Sequence, residues 1–417
     1  MSKRCVHTIG KGLKSLQGLY IIEGLSNSFR FFRNGFWYFL FMLIKPFQIQ
    51  HALLLFIGLL FIGCTSDSID GNSLNAETME DEEAAANPEK KSKTQRILSK
   101  AEILTYFDSL IENEQIIVGQ QCGDAPDTTA SFYNTYVDQL ADETGRHVGL
   151  IGADFGWFDG DDYPVGTLID HWQEGGLVAV SWHADNPFVD AVDVYWETVK
   201  NKDSINLKAL LNDAERTAEW ISYRTELDNI AGALQKLRDA GVTVIWRPFH
   251  EMNGDFFWWG TNAHGNKQTN EADYKAFWID LHNVLTHDYG LDNLIWTYSV
   301  VPSETWYAGV TAYYPGSDYV DLVGMDYYGN QPDFPHFEEL KSLGKTIVMS
   351  EIGPREAGYG NWNMMDVVNK LKGKAAYFMQ WHSWKGAKVA IKENKNTIEM
   401  MQSDAAITRD ELLPTNF

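Results

Sequence analysis

Glu251 follows His250 directly and comes four places after Arg247, at the close of an apolar run, Val242-Thr-Val-Ile-Trp246. A dense aromatic cluster, Phe256-Phe-Trp-Trp259, comes next and ends on Gly260. A carboxyl group flanked by a guanidinium and an imidazole can be tuned to carry a proton. Flat rings beside it offer faces on which the CH face of a pyranose packs. Together they suit the cleavage of a bound sugar chain, in which an acid protonates a leaving oxygen. A second apolar run, Lys345-Thr-Ile-Val-Met-Ser350, closes on Glu351.

Two carboxyl groups would divide this chemistry. Glu251 is expected to be the general acid and then the general base, with a pKa raised by partial burial or by a neighbouring carboxylate. Glu351 is expected to be the nucleophile, which must be ionised. Arg247, read as lying on the same strand parity as Glu251, is expected to hold Glu351 in its charged form. Carboxyls roughly 5–5.5 Å apart would give retention of configuration through a glycosyl-enzyme ester. A glutamate taken at random is a solvated or ion-paired surface residue. Two that close apolar strands fit that description poorly.

The elements that must position them form a regular series. Short β-rich runs occur at Ile116 to Gln120, His147 to Asp154, Leu177 to His183 and Val242 to Glu251. Four more follow at Leu294 to Ser299, Val320 to Tyr328, Thr346 to Glu351 and Ala375 to Trp381. Helical patterns lie between them, among them Phe132 to Thr144, Trp220 to Ala240, Glu271 to Thr286 and Met364 to Leu371. Gly176, Gly241 and Gly290 precede strands, where left-handed residues that end helices are expected. Alternation of strand and helix implies a parallel sheet, and eight units imply a closed (β/α)₈ TIM barrel from about residue 95 to 417. A doubly wound sheet would suit five or six units better. In such a barrel the chemistry gathers at strand ends. Here those ends carry Gln120-Gln121, Asp154, Trp182-His183, His250-Glu251, Ser299, Asp326 to Tyr328, Ser350-Glu351 and Trp381-His382, which reads as a polar cleft with stacking surfaces.

Composition narrows the partners. A net charge of -23 argues against nucleic acid, whose phosphates would be repelled, and suits a neutral substrate. Aromatic residues make up 13% of the chain, more than a core alone needs, so part is expected to line a cleft. The three cysteines, Cys5, Cys64 and Cys122, are too few and too scattered for a disulfide framework or a zinc site. His264, His282 and His287 show no ligand spacing, so neither metal nor cofactor is expected.

The N-terminus reads as an address. Ala52 to Ile62 is an apolar run too short to span a bilayer, preceded by Lys45 and followed by Gly63-Cys64. Phe61-Ile-Gly-Cys64 resembles a bacterial lipobox, which implies cleavage before Cys64 and lipidation of its thiol. Residues 1–64 are therefore expected to be a signal region, with Met42 an alternative start. A signal anchor is the competing reading, helped by the apolar run Phe36 to Ile44. Residues 65–94 are polar and acidic, including Glu80-Asp-Glu-Glu83, and are expected to be a flexible tether. Thr65 in place of Asp implies the outer membrane of the cell envelope.

Four motifs carry a resemblance to a known family: WRPFHEMNGDFFWWG (246–260), SWHADNP (181–187), VDLVGMDYYG (320–329) and MSEIG (349–353). The chain resembles glycoside hydrolase family 26, mainly endo-β-1,4-mannanases with some β-1,3-xylanases and lichenases. The resemblance covers the barrel and implies retaining double displacement. It puts the acid/base on Glu251 and the nucleophile on Glu351. It implies substrate contacts from His250 and His183, a nucleophile-contacting tyrosine at Tyr328 and a tryptophan platform at Trp381. Arg247 and Phe256 join the expected substrate-binding set. At Phe256 the family usually has tryptophan, so one ring donor is missing. The expected activity is monomeric endo-hydrolysis of β-1,4 linkages in mannan, galactomannan or glucomannan. The alternatives are a β-1,3-xylanase or mixed-linkage glucanase, and a surface lipoprotein that only binds glycans. Trp258 and Trp259 are expected in wall and core, Trp384 competes with Trp381 as platform, and Tyr327 competes with Tyr328. Asp154 and Asp326 are candidate orienters, and Cys122 a buried small hydrophobe.

Overall fold

Eight parallel strands close on themselves: β1 (Ile116–Gln121) pairs with both β2 (Leu150–Asp154) and β8 (Tyr377–Gln380). Between them run β3 (Leu177–Trp182), β4 (Val244–Pro248), β5 (Leu294–Val300), β6 (Leu322–Gly329) and β7 (Thr346–Pro354), each paired with the next. This computed structural model describes residues 98–158, 160–211, 213–260, 266–303 and 308–412. The expected signal region 1–64 with Cys64, the tether 65–94 and His264 lie outside the described residues. Among the described residues no helix is long and apolar enough to cross a membrane.

Barrel strands are covered on both faces, so they read as apolar runs without alternation. Every residue of β1, β2, β4 and β5 is buried accordingly. The helices that cover them start at side-chain caps. Ser99 and Glu102 form a reciprocal box ahead of Lys100–Glu112, and Asn270 and Asp273 do the same ahead of Glu271–Asn283. Thr217 caps the long helix Ala218–Asp239. Gly241 and Gly290 have φ of 77° and 66°, as helix-ending residues do. At the third such site the left-handed residue is Gly175, not Gly176. Gly176 is there for space, since a Cβ on it would lie 2.0 Å from His171 Nε2.

Two departures from regular strands matter for the site. The expected strand Val242 to Glu251 stops at Pro248, and both Phe249 and Glu251 take positive φ, 45° and 57°. Strand parity therefore does not relate Arg247 to Glu251. In β7, Val348 pairs with Gly324 but Glu351 with Asp326, and Met349 pairs with Phe378 but Ile352 with Gln380. Both neighbours thus see one extra residue between Met349 and Glu351, a β-bulge that re-aims the side chains around it.

The aromatic surplus is divided. Trp182, Trp246, Trp258, Trp259, Trp278, Trp296 and Trp362 are fully buried, and the rings facing the strand ends are described below. Tight packing also appears at Gly119, where an added Cβ would lie 2.6 Å from the Phe378 carbonyl oxygen. That oxygen belongs to the β1–β8 ladder and cannot move freely. Gly119→Ala should destabilise the barrel by about 1–3 kcal/mol, as overpacked cores do, read as a lower urea midpoint at unchanged slope. An unaltered midpoint would show that the seam is looser than its geometry.

Candidate active site

Glu351, at the β7 bulge, is only 4% exposed. Its Oε1 accepts a hydrogen bond from Arg247 Nη2, and its Oε2 accepts one from the Tyr328 hydroxyl at 2.7 Å. Arg247 Nη1 donates to Asp326 Oδ2 at 2.9 Å, and Ser299 Oγ donates to Asp326 Oδ1 at 2.8 Å. The guanidinium thus lies between two buried carboxyls supplied by β6 and β7. Burial opposes its charge, but those carboxylates more than offset it and raise the Arg247 pKa. Burial pushes the Asp326 carboxyl up to about 7 against the pull of Arg247. An ion triad of this kind adds little net stability, yet removing one member leaves a buried charge uncompensated, at about 3–5 kcal/mol.

Glu251 leaves β4 through the left-handed pair described above and faces the same cavity as Glu351. Its backbone N–H donates to the Ser299 carbonyl at 2.9 Å, which fixes the turn against β5. Burial raises its pKa well above the ordinary glutamate value, and the charges of Glu351 and Asp326 push it further. Its neutral form is therefore favoured more than in an ordinary glutamate. One carboxyl receives a guanidinium and a phenol, and the other, facing the same space, has its neutral form favoured by burial. Such a pair can protonate a leaving group and attack the carbon it leaves.

A histidine pair sits beside them. Asp154 Oδ2 lies 2.6 Å from His183 Nδ1, while its Oδ1 accepts from the Gly156 N–H at 2.7 Å. Burial opposes the Asp154 anion, but His183 and these donors hold its pKa below the usual range. His183 Nε2 is 3.0 Å from His250 Nε2, the rings meeting edge to face. His250 is fully buried and kept neutral, first by burial and then by Arg247 and His183.

Of the residues expected to touch substrate, His183, Phe256, Tyr328 and Trp381 line the cavity with Glu251 and Glu351. Arg247 and His250 do not. The Arg247 side chain is committed to Asp326 and Glu351, and His250 lies beneath His183. Both act behind the wall, which corrects the expectation of direct contact. His250, Asp326 and Glu351 have donor atoms within 4.8 Å of one another, but the Arg247 cation already binds both carboxyls. Trp258 and Trp259 are buried core, their indoles donating to the carbonyls of Ala184 at 2.9 Å and His250 at 2.7 Å. Tyr327 and Trp384 also reach the cavity, so neither pair of competing aromatics has a single winner. Gln120 and His382 do not line it: Gln120 bonds the backbone of Gln380 and Ile391, and His382 packs behind Trp381 with its Nε2 3.9 Å from Asp124 Oδ2.

Sequence reading missed Trp157, Tyr195, Asp124 and Arg355, all on the cavity wall. Trp157 and Arg355 lie three and four residues past the strand-end carboxylates Asp154 and Glu351, so a search of each following loop would have found them. Tyr195 gave no such signal. It arrives from a long loop through a bridge to Phe257, on which its ring stacks at 5.9 Å.

Residues 88–411 match the profile of Glycosyl hydrolase family 26. Mannan endo-1,4-beta-mannosidase A and B of Caldalkalibacillus mannanilyticus is 31% identical over 318 residues, 72% of this chain but only 58% of that protein. Mannan endo-1,4-beta-mannosidase of Bacillus subtilis strain 168 is 29% identical over 346 residues, 79% of this chain and 90% of the relative. The solved structure of Bacillus subtilis mannanase BCman superposes with a TM-score of 0.65 at 26% identity, covering 75% of this chain and 93% of that one.

The mutual influence of the two carboxyls is measurable without turnover. In Glu351→Gln the Glu251 carboxyl should titrate lower than in the unsubstituted protein, because one raising charge is gone. It should stay above the ordinary value, because burial is the larger cause. A ¹³C NMR titration of labelled glutamate carboxyls reads both, and an unmoved Glu251 would mean that the two groups are electrostatically separate.

Proposed function

The chain belongs to glycosyl hydrolase family 26, and we propose that it is a retaining endo-hydrolase of β-1,4-mannosidic linkages in mannan, galactomannan or glucomannan. The observation that carries this reading is the pair Glu251 and Glu351, facing one aromatic-walled cavity in contrasting surroundings. The names of the relatives, all mannan endo-1,4-beta-mannosidases or mannanases among those described above, support mannan as the substrate.

In the first half-reaction the neutral Glu251 protonates the glycosidic oxygen while Glu351 attacks the anomeric carbon. Bond cleavage leaves a glycosyl ester on Glu351 and an anionic Glu251. Glu251 then takes a proton from water, whose oxygen displaces Glu351 and restores the first state. Arg247 and Tyr328 hold Glu351 in position and stabilise its charge as it leaves the ester. His183, oriented by Asp154, and Trp381 bound the space for the reacting sugar. A monomer is lipidated at Cys64 and tethered by residues 65–94 to the outer membrane, so that the barrel, residues 95–417, meets polymer at the cell envelope.

Glu251→Ala tests the chemistry. Turnover of galactomannan, followed by viscosity loss, should fall by about 10²–10⁴-fold, the usual contribution of a general acid. An aryl mannoside with an acidic leaving group needs no protonation and should still release its phenol in the first step. Equal losses on both substrates would remove Glu251 from the acid role. Cys64→Ser tests the anchor: incorporation of labelled fatty acid in a Gram-negative host should disappear, and the protein should leave the membrane fraction. Unchanged labelling would rule out Cys64 as the lipidated residue.

A further inference from the structure

Trp384 is 45% exposed, a large apolar ring left at the surface. It is not loosely held. Trp384 and Ala387 exchange backbone hydrogen bonds at 3.2 and 2.9 Å across a four-residue turn. Gly386, with φ of 86°, supplies the left-handed third position that such a turn needs. The turn is tied down by Ser383, whose Oγ accepts from the N–H groups of Val389 at 2.8 Å and Ala390 at 2.9 Å while donating to Glu393. An exposed large aromatic on a fixed turn is a preorganised contact surface, because little entropy is lost when something packs on it.

The indole also has two sides to serve. It lines the cavity of Glu251 and Glu351 and, equally, a second depression walled by Phe132, Tyr136, Lys385, Lys388 and Glu393. Phe132 and Tyr136 stack at 5.4 Å and 24°. The half-buried Phe132 and the exposed Trp384 indole, with ammonium and carboxylate groups around them, offer apolar surface together with donors and acceptors. A neutral pyranose, with one apolar face and a rim of hydroxyls that donate and accept, asks for that combination. We propose that this second depression is a further sugar-binding subsite, continuous with the cleft across Trp384, which takes an outer pyranose of the same polysaccharide chain. The inference rests on the reading of the protein as a glycan hydrolase and adds a site that extends its reach along the polymer.

The test uses the full chain and β-1,4-manno-oligosaccharides of three to seven units. In the unsubstituted enzyme kcat/KM should climb with length until the second depression is filled. Trp384→Ala should cut the long-to-short ratio of kcat/KM about tenfold, equivalent to about 1.4 kcal/mol. The double variant Lys385→Ala/Lys388→Ala, two exposed side chains whose loss leaves the fold alone, should cut it about threefold. A drop that is equal at every length would assign Trp384 to the first cavity alone and overturn the proposal. Calorimetry on the Glu251→Ala chain with hexasaccharides of mannose, xylose and glucose separates the two claims. If mannose binds no better than the others, the substrate reading fails. The subsite stands only if Trp384→Ala weakens the best ligand about tenfold, and absence of that weakening, or of any binding, rejects it.

Discussion

The site is arranged around one buried cation. Arg247 enters from β4 with its guanidinium between Asp326 of β6 and Glu351 of β7, so it fixes three strands at their ends. Its charge must stay, because two carboxyls with almost no access to water depend on it. Burial and negative neighbours raise the Glu251 pKa and favour its neutral form. A single positive charge thus sorts the carboxyls around it, and the division of labour proposed for Glu251 and Glu351 follows from that sorting rather than from any difference in residue type. Replacing the guanidinium by an ammonium would lose the fork that reaches both carboxyls at once.

Behind the cleft lies a second polar layer with a similar logic. Asp154 is held anionic by donors from its own loop and by His183, and His183 in turn meets His250 through facing Nε2 atoms. A neutral His250 has one ring nitrogen able to accept, which suits the 3.0 Å contact between the two Nε2 atoms. The result is a row of oriented groups from β2 through β3 to the β4 turn, which supports the floor of the cavity without reaching it except at His183. The polar ring at the strand ends is therefore two layers deep. Only the upper one faces the cavity.

Sequence alone made the barrel and the two glutamates legible, and the physical reason is periodicity. Strands covered on both faces appear as apolar runs whose ends stand out, and Glu251 and Glu351 close two of them. What stayed hidden depends on backbone that leaves that periodicity. The left-handed Phe249 and Glu251 break the strand parity between Arg247 and Glu251, so the pairing of Arg247 with Glu351 does not follow from that parity. The family resemblance puts His250 in the cleft and Arg247 joins it in the expected binding set, whereas both side chains are buried behind it. Tyr195 and the Trp384 turn come from loops whose course is set by tertiary contacts, about which local sequence is silent.

The bulge in β7 has a wider consequence. In an unbroken strand, residues alternate between barrel interior and helix-facing layer, and one inserted residue exchanges those faces from that point onward. Met349-Ser-Glu-Ile-Gly353 is thus meaningful only together with its irregular pairing to both β6 and β8. Grafted onto an ideal strand of a designed barrel, the same five letters would aim the carboxylate by the regular alternation and away from its guanidinium. The transferable unit is the defect with its two neighbouring strands, and a search for similar sites among barrels would do better to look for that dislocation than for the string.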